Sequence, residues 1–142
     1  MRLEGTREFA GPREAVFAAL TDPELVAGAI PALESVDVSD PDHWTASMRV
    51  SIAPRLRVAF EVLDRRPPEH ARLRARGKNL GGSATMETSF DLAEAGACTH
   101  MRYEADFLLS GLLGRLGGPA FRLIAERQID RLFRAVARRV SG

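Results

Sequence analysis

The sequence has few of the residues that metal and redox sites are built from. Its single cysteine, Cys98, excludes an internal disulfide and a CxxC metal-binding motif. Its three histidines, His43, His70 and His100, lack the spacing to another ligand that a metal site requires, and HExxH is absent. All three are expected on the surface. Serines occur without a GxSxG context, and residues 77–82 lack the GxxxxGKS/T pattern. We therefore predict no catalytic residue, metal or cofactor.

The sequence also lacks long apolar runs. None approaches the roughly 20 residues that span a bilayer, and the first six residues lack the apolar core of a signal peptide. A hydrophobic fraction of 45% and a charged fraction of 27% are ordinary for a globular protein. We expect one domain, residues 1–142, in the cytoplasm.

The net charge is only +1, but the charges are unevenly distributed. Residues 22–42 carry six acids and no lysine or arginine, whereas residues 112–142 carry seven arginines against two acids. Either each element has a solvated charged face, or the basic end meets an anionic membrane surface or an acidic partner. Nucleic-acid binding is not predicted, because no exposed aromatics interleave with the arginines.

Alternation of apolar and polar residues predicts strands along most of the chain. The first spans residues 2–10, and the alternation is clearest from Trp44 to Ile52. Later strands are centred on residues 36–38, 44–52, 56–62, 71–75, 84–92 and 99–107. Because short turns separate them, they predict an antiparallel meander.

Prolines mark the predicted helices. Pro12 suits the first turn of a short helix, and a second begins at Pro23 behind a cap at residue 21 or 22 and ends at Pro31. A long C-terminal helix begins near Pro119. Its inward stripe is Phe121, Ala125, Ile129, Leu132 and Val136, opposite Arg127, Arg131, Arg134 and Arg138.

The segment around the start of this helix is apolar nearly all round. Leu123 and Ile124 lie off the inward stripe, and leucines crowd residues 109–116. This end is either buried on two sides or forms a patch for a ligand, a partner or a membrane.

The order of elements predicts an α+β helix-grip fold. A curved antiparallel sheet of about seven strands, with two short helices after strand 1, wraps around the long C-terminal helix. Because one helix cannot fill the concave side of such a sheet, we expect a cavity between the sheet and the helix.

This order and several stretches resemble the START-like superfamily, also called Bet v 1-like or SRPBCC, and within it the CoxG family, which takes its name from a component of carbon monoxide dehydrogenase. The stretches are residues 1–5, 12–20, 22–25 with 30–31 and 34–36, 77–82 and 113–133. The resemblance covers essentially the whole chain. It implies a carrier for a hydrophobic ligand, lipid or quinone-like, that works with a molybdenum hydroxylase and associates peripherally with the inner face of a membrane.

The predicted cavity lining combines inward strand positions with the C-terminal segment. The candidate ligand-binding residues are Arg7, Met48, Phe60, Leu73, Met86, Phe90, Met101, Tyr103, Phe107, Leu113, Leu116, Phe121 and Gln128. Three of them, Arg7, Tyr103 and Gln128, are polar groups that can orient a ligand. Arg7 either points inward, toward a ligand or a nearby acid, or is turned outward by a strand bulge.

Three classes of function stay open. The leading hypothesis is a non-catalytic carrier of an apolar small molecule that enters near residues 109–116. The alternative is an enzyme of the polyketide cyclase or aromatase kind, with Tyr103 or Arg7 in proton transfer. The third is a partner-binding module whose core is filled.

Overall fold

The computed structural model describes residues 1–30, 32–50, 53–79, 81–111, 114 and 118–141. One sheet and three helices account for nearly all of them. The strands are β1 (Arg2–Phe9), β2 (Leu33–Asp40), β3 (His43–Val50), β4 (Ala53–Arg66), β5 (His70–Asn79), β6 (Gly82–Ala95) and β7 (Cys98–Gly111). The helices are α1 (Arg13–Leu20), α2 (Pro23–Ala29) and α3 (Gly118–Ser141).

The sheet has the order β1-β7-β6-β5-β4-β3-β2, with every neighbouring pair antiparallel. From β2 to β7 the strands follow one another as a meander, and β1 closes the far edge by pairing with β7. The predicted helix-grip fold, with two short helices after the first strand and a long helix at the end, is confirmed. β5 therefore lies at the centre of the sheet, with three strands on either side.

Local sequence explains where the short helices begin. Pro12 is the residue before α1, where its missing N–H costs nothing. The Asp22 carboxylate caps α2 by accepting a hydrogen bond from the backbone N–H of Glu24, and Pro23 occupies the first helical position. α2 ends at Ala29, in agreement with the predicted stop.

The edge strand β2 is irregular. Its register against β3 shifts twice, and Ser35 adopts a positive φ of 53°. Val36 and Val38 are exposed there, because an edge strand with bulges presents few positions to the core.

Glycines join β5, β6 and β7 closely at one end of the sheet. Asn79 pairs with Gly82, and Gly82 pairs with Gly111 on β7. Gly82 has a φ of 153°, and a Cβ there would clash with the carbonyl oxygen of Ser110. Glycine therefore allows these strands to meet closely, which agrees with the absence of a phosphate-loop pattern from residues 77–82.

The helix α3 is held mainly at one side of the sheet. Among the described residues, its backbone approaches α1, α2 and β1 most closely. The largest core cluster lies there and joins Phe9 of β1, Val16 of α1 and Met101 of β7 to Phe133 and Val136 of α3. A second cluster covers β3 and β4, where Trp44 stacks on Phe60 at 3.7 Å.

Candidate ligand-binding site

The candidate lining residues lie on the side of the sheet that faces α3 and on α3 itself. They fall into three neighbouring groups of packed side chains. Leu73, Phe90, Met101 and Tyr103 belong to the cluster at α1 and α3; Met48, Phe60 and Met86 belong to the cluster on β3 and β4; and Phe107 and Phe121 contact each other beside Leu3 and Ala125. Two residues of α3 connect the groups: Leu132 packs against the first two, and Ile129 against the first and third. The candidates Leu113 and Leu116 lie outside the described residues.

Several of these inward side chains are not sealed from solvent. Phe60, Phe90 and Met101 are buried, but Leu73 and Met86 are only half-buried. Both belong to strands that have neighbours on each side, and both point toward α3. In a filled core such positions are fully buried. Leu73 and Met86 therefore keep part of their surface accessible on the face of the sheet toward α3.

Arg7 points toward α3. β1 pairs with β7 without a register shift, so the alternative of a bulge that turns Arg7 outward is wrong. Its guanidinium donates to the Asp130 carboxylate at 3.1 Å, and its Cζ lies 5.6 Å from the centre of the Phe133 ring. Asp130 is also paired with Arg134 at 2.8 Å. Arg7 thus meets a nearby acid and an aromatic face, and it fastens β1 to α3.

Tyr103 lies beside Arg7 and owes its position to a glycine. It is opposite Gly5 in the β1–β7 ladder, and a Cβ at Gly5 would lie 3.1 Å from the Tyr103 hydroxyl. The ring packs edge-on against Phe133, with 4.9 Å between ring centres. Burial raises the pKa of the Tyr103 phenol; the carboxylate of Glu126 adds to this rise, and the Arg7 guanidinium opposes it. The phenol therefore stays protonated at neutral pH.

Two side-chain oxygens in the interior have no hydrogen-bond partner among the described residues: Thr88 Oγ1 and Gln128 Oε1. Gln128 is one of the predicted polar groups. Thr88 is absent from the predicted lining, because a threonine is common in any strand and does not by itself indicate a ligand contact. The sequence shows only that Thr88 shares the inward phase of Met86 and Phe90.

The outer face of α3 carries the predicted basic stripe. Arg127, Arg131, Arg134 and Arg138 are all exposed. The stripe continues into Leu123, because residues 123, 127, 131, 134 and 138 recur at helical spacing. Leu123 is 50% and Ile124 47% exposed, so burial on two sides is wrong for these residues, which form an apolar patch beside the arginines.

The histidines lie away from this interior. His43 is exposed as predicted, whereas His70 and His100 are half-buried, which corrects the prediction for these two. His70 lies between Asp64 and Asp91, and His100 lies near Glu8. Within the described ranges, no three histidine, cysteine or acidic residues form a group that could hold a metal.

A hollow on the opposite, convex face of the sheet contains His43. Its Nδ1 lies 2.9 Å from the Asp40 carboxylate and its Nε2 3.4 Å from Glu61, with Arg74 and Arg76 alongside. The hydrogen bond and charge of Asp40 raise the pKa of the His43 imidazole. Each partner of the imidazole is an acid, so this group pairs charges and presents no activated nucleophile.

The fold is shared with solved structures of START-like and Bet v 1-like proteins. A conserved protein from Geobacillus kaustophilus superposes with a TM-score of 0.89 at 23% identity, covering 99% of this chain and 95% of that one. A START superfamily protein from Mycobacterium smegmatis has a TM-score of 0.73 at 14% identity, and Ara h 8.0201 one of 0.71 at 12% identity, each covering 99% of this chain and 97% of the other.

This chain belongs to the carbon monoxide dehydrogenase CoxG family, whose model matches residues 5–141. The resemblance seen in the sequence is thereby confirmed, and the family and fold together suggest a ligand-binding or carrier protein. No curated protein matches the sequence. Among the described helices, none is both long and apolar enough to cross a membrane.

Proposed function

We propose that this protein binds a hydrophobic small molecule, lipid or quinone-like, between the middle of its sheet and α3, and carries it without catalysis. The observation that supports the proposal is the half-buried state of Leu73 and Met86, which point toward α3 from the centre of the sheet. Methionines at two of these positions, Met48 and Met86, give a lining that adapts to the shape of a ligand. The family name further supports a molybdenum hydroxylase of the carbon monoxide dehydrogenase kind as the partner that uses the cargo.

The groups that a cyclase would use argue against the enzymatic alternative. Arg7 has its charge engaged by Asp130, and the raised pKa of Tyr103 makes its phenol a poor base at neutral pH. No other titratable group converges on them from the inward face of the described strands.

We also propose that the basic stripe of α3 places the protein on an anionic membrane surface, where a lipophilic cargo would be loaded. Arg127, Arg131 and Arg138 have no ion pair within the described part of the chain, so their charges are available to lipid phosphates. Leu123 and Ile124 at one end of the stripe would enter the interface. Each arginine near such a surface contributes about 1 kcal/mol.

Ligand binding is tested by filling the interior. Leu73→Trp places a large ring at the centre of the inward face, while Arg72→Trp places the same ring on the convex face of the same strand. Purified protein is titrated with a panel of lipophilic molecules, and native mass spectrometry with organic extraction identifies cargo carried from the host. We expect L73W to lose binding and R72W to retain it. Failure of the wild-type protein to bind any lipophilic molecule, or equal binding by L73W, would contradict the proposal.

Membrane docking is tested by sedimentation with vesicles. We expect binding to vesicles with anionic lipids, weaker binding at high salt, and loss in the double variant Arg127→Glu, Arg131→Glu. If the wild-type protein ignores anionic vesicles but the same variant no longer binds a molybdenum hydroxylase, the stripe is a protein interface instead.

A further inference from the structure

Unpartnered polar atoms in the interior indicate the kind of ligand that it holds. In the described part of the chain, three buried side-chain polar atoms lack a hydrogen-bond partner: Arg13 Nε, Thr88 Oγ1 and Gln128 Oε1. Arg13 is accounted for, since its other guanidinium nitrogens are ion-paired with Glu69 and Glu94. Thr88 and Gln128 have no such compensation.

Thr88 lies on the inward face of the sheet. It stands between Met86 and Phe90 on β6, and its cross-strand neighbours are Leu73 on β5 and Ala105 on β7. The residue is only 8% exposed. Its hydroxyl is therefore surrounded by apolar side chains at the middle of the sheet.

Gln128 borders the same part of the interior from the helix side. It lies one turn after Ala125 and one turn before Leu132, and both of these pack against the sheet. Ala125 packs in one cluster with Ala105, the direct neighbour of Thr88 in the β6–β7 ladder. The two residues therefore border the same interior from opposite sides, Thr88 from the sheet and Gln128 from the helix.

Burying an unpaired hydroxyl or amide oxygen is unfavourable, and native proteins rarely keep one without a reason. Valine matches the shape of threonine, and leucine approximates the volume of glutamine, so an apolar pair would fill these positions without the penalty. A core that serves stability alone does not require either oxygen.

We propose that Thr88 and Gln128 are the polar anchor of the ligand site and that the ligand is a largely apolar molecule ending in a neutral hydroxyl group. This inference rests on the proposed carrier function. The amide oxygen of Gln128 can only accept a hydrogen bond, whereas the Thr88 hydroxyl can donate and accept. A ligand hydroxyl satisfies both, donating to Gln128 and exchanging a hydrogen bond with Thr88. A carboxylate would be repelled by the Gln128 oxygen, and Arg7, which could otherwise neutralise it, is engaged by Asp130.

The test compares two probes that differ only in the donor. Para-octylphenol carries a hydroxyl, and para-octylanisole is its methyl ether, with nearly the same apolar body. Binding of each is measured by calorimetric titration to the wild-type protein and to Thr88→Val and Gln128→Leu. Thr85→Val is the control, because Thr85 lies on the same strand with the opposite phase.

We expect the wild-type protein to bind the phenol roughly tenfold more tightly than the ether, the factor that one buried hydrogen bond supplies. Q128L should lose most of this preference while binding the ether as before. T88V should weaken the binding of both probes, because the ether oxygen can also accept from the Thr88 hydroxyl, and T85V should change neither. Without ligand, T88V and Q128L should melt at or above the temperature of the wild-type protein.

The outcomes separate this inference from the proposed function. If both probes bind the wild-type protein equally, if Q128L keeps the preference for the phenol, or if T88V binds both probes as tightly as the wild-type protein does, the anchor is wrong and the carrier function stands. Clear destabilisation of T88V and Q128L would likewise overturn the anchor, because it would show that the oxygens already have partners. If neither probe binds and no lipophilic molecule in the wider panel does, both proposals fail.

Discussion

Phe133 is the aromatic centre through which α3 is fixed to the sheet. It is 3% exposed and meets Phe9 of β1, Phe90 of β6 and Tyr103 of β7 edge-on, with 6.3, 6.4 and 4.9 Å between ring centres. Arg7 lies over its face. Replacing it with leucine keeps most of the apolar volume but removes the ring, so the loss reports these contacts.

The expected loss follows from the contacts that disappear. Each edge-to-face pair contributes about 0.5–1.5 kcal/mol beyond its buried area. The cation–π contact of a partly exposed arginine such as Arg7 adds about 0.5–1 kcal/mol. Leucine recovers part of the dispersion energy, and Phe→Ala in a core costs about 3–5 kcal/mol as an upper bound. We therefore expect Phe133→Leu to lower the free energy of unfolding by about 2–3 kcal/mol.

The measurement is urea unfolding followed by circular dichroism. The slope of the free energy of unfolding against urea concentration should be the same in the variant and the wild-type protein, so that the loss reports native stability. Phe121→Leu is the matched control on the same helix, since Phe121 is half-buried and, among the described residues, pairs with one aromatic ring, Phe107 at 5.2 Å. It should lose about 1 kcal/mol or less. Equal losses in the two variants would refute the view that Phe133 fixes α3.

Three further predictions concern close approaches and pH. Gly5→Ala should cost about 1–2 kcal/mol in urea unfolding, because its Cβ would press on the Tyr103 ring; the same cost in a Tyr103→Leu background would contradict this cause. Gly82→Ala should cost about 2–4 kcal/mol, because its Cβ would meet a backbone carbonyl. Gly96→Ala, with a φ of 66° but open space around it, should cost only about 1 kcal/mol, and equal losses would contradict the steric argument. Asp40 raises the pKa of His43 in the folded protein, so the pairing of the two side chains stabilises the fold fully below about pH 6.5. This stabilisation is lost as the pH rises through the pKa of His43 in the folded protein. Proton NMR titration against His43→Gln checks the direction, and a native pKa below the ordinary value would contradict it.

The strands and helices could be predicted because local patterns determine them. The alternation from Trp44 to Met48 and from Leu56 to Phe60 gives the inward phase directly, and this phase agrees with the observed burial. Likewise, Pro23 and the Asp22 cap mark the start of α2 before any tertiary contact forms.

The contacts that shape the site depend on distant parts of the chain and could not be predicted. Arg7 and Asp130 are 123 positions apart, so the partner of Arg7 is fixed only once α3 docks on β1. The sequence gives the inward phase of Thr88 but not its missing hydrogen-bond partner, which is a property of the packed interior. Exposure of Val36 and Val38 likewise follows from the place of β2 at the edge.

The uneven docking of α3 separates the residues that stabilise this protein from those that would bind its cargo. Close packing of α3 on β1, α1 and α2, with Phe133 and the Arg7–Asp130 pair, fixes the helix at one side of the sheet. The middle strands, where Leu73, Met86 and Thr88 lie, contribute less to that contact, and Leu73 and Met86 stay half-buried there. Substitutions there can change which molecule fits without releasing the helix. On this argument, ligand preference in this fold can diverge at a few central positions while the docking of α3 stays unchanged.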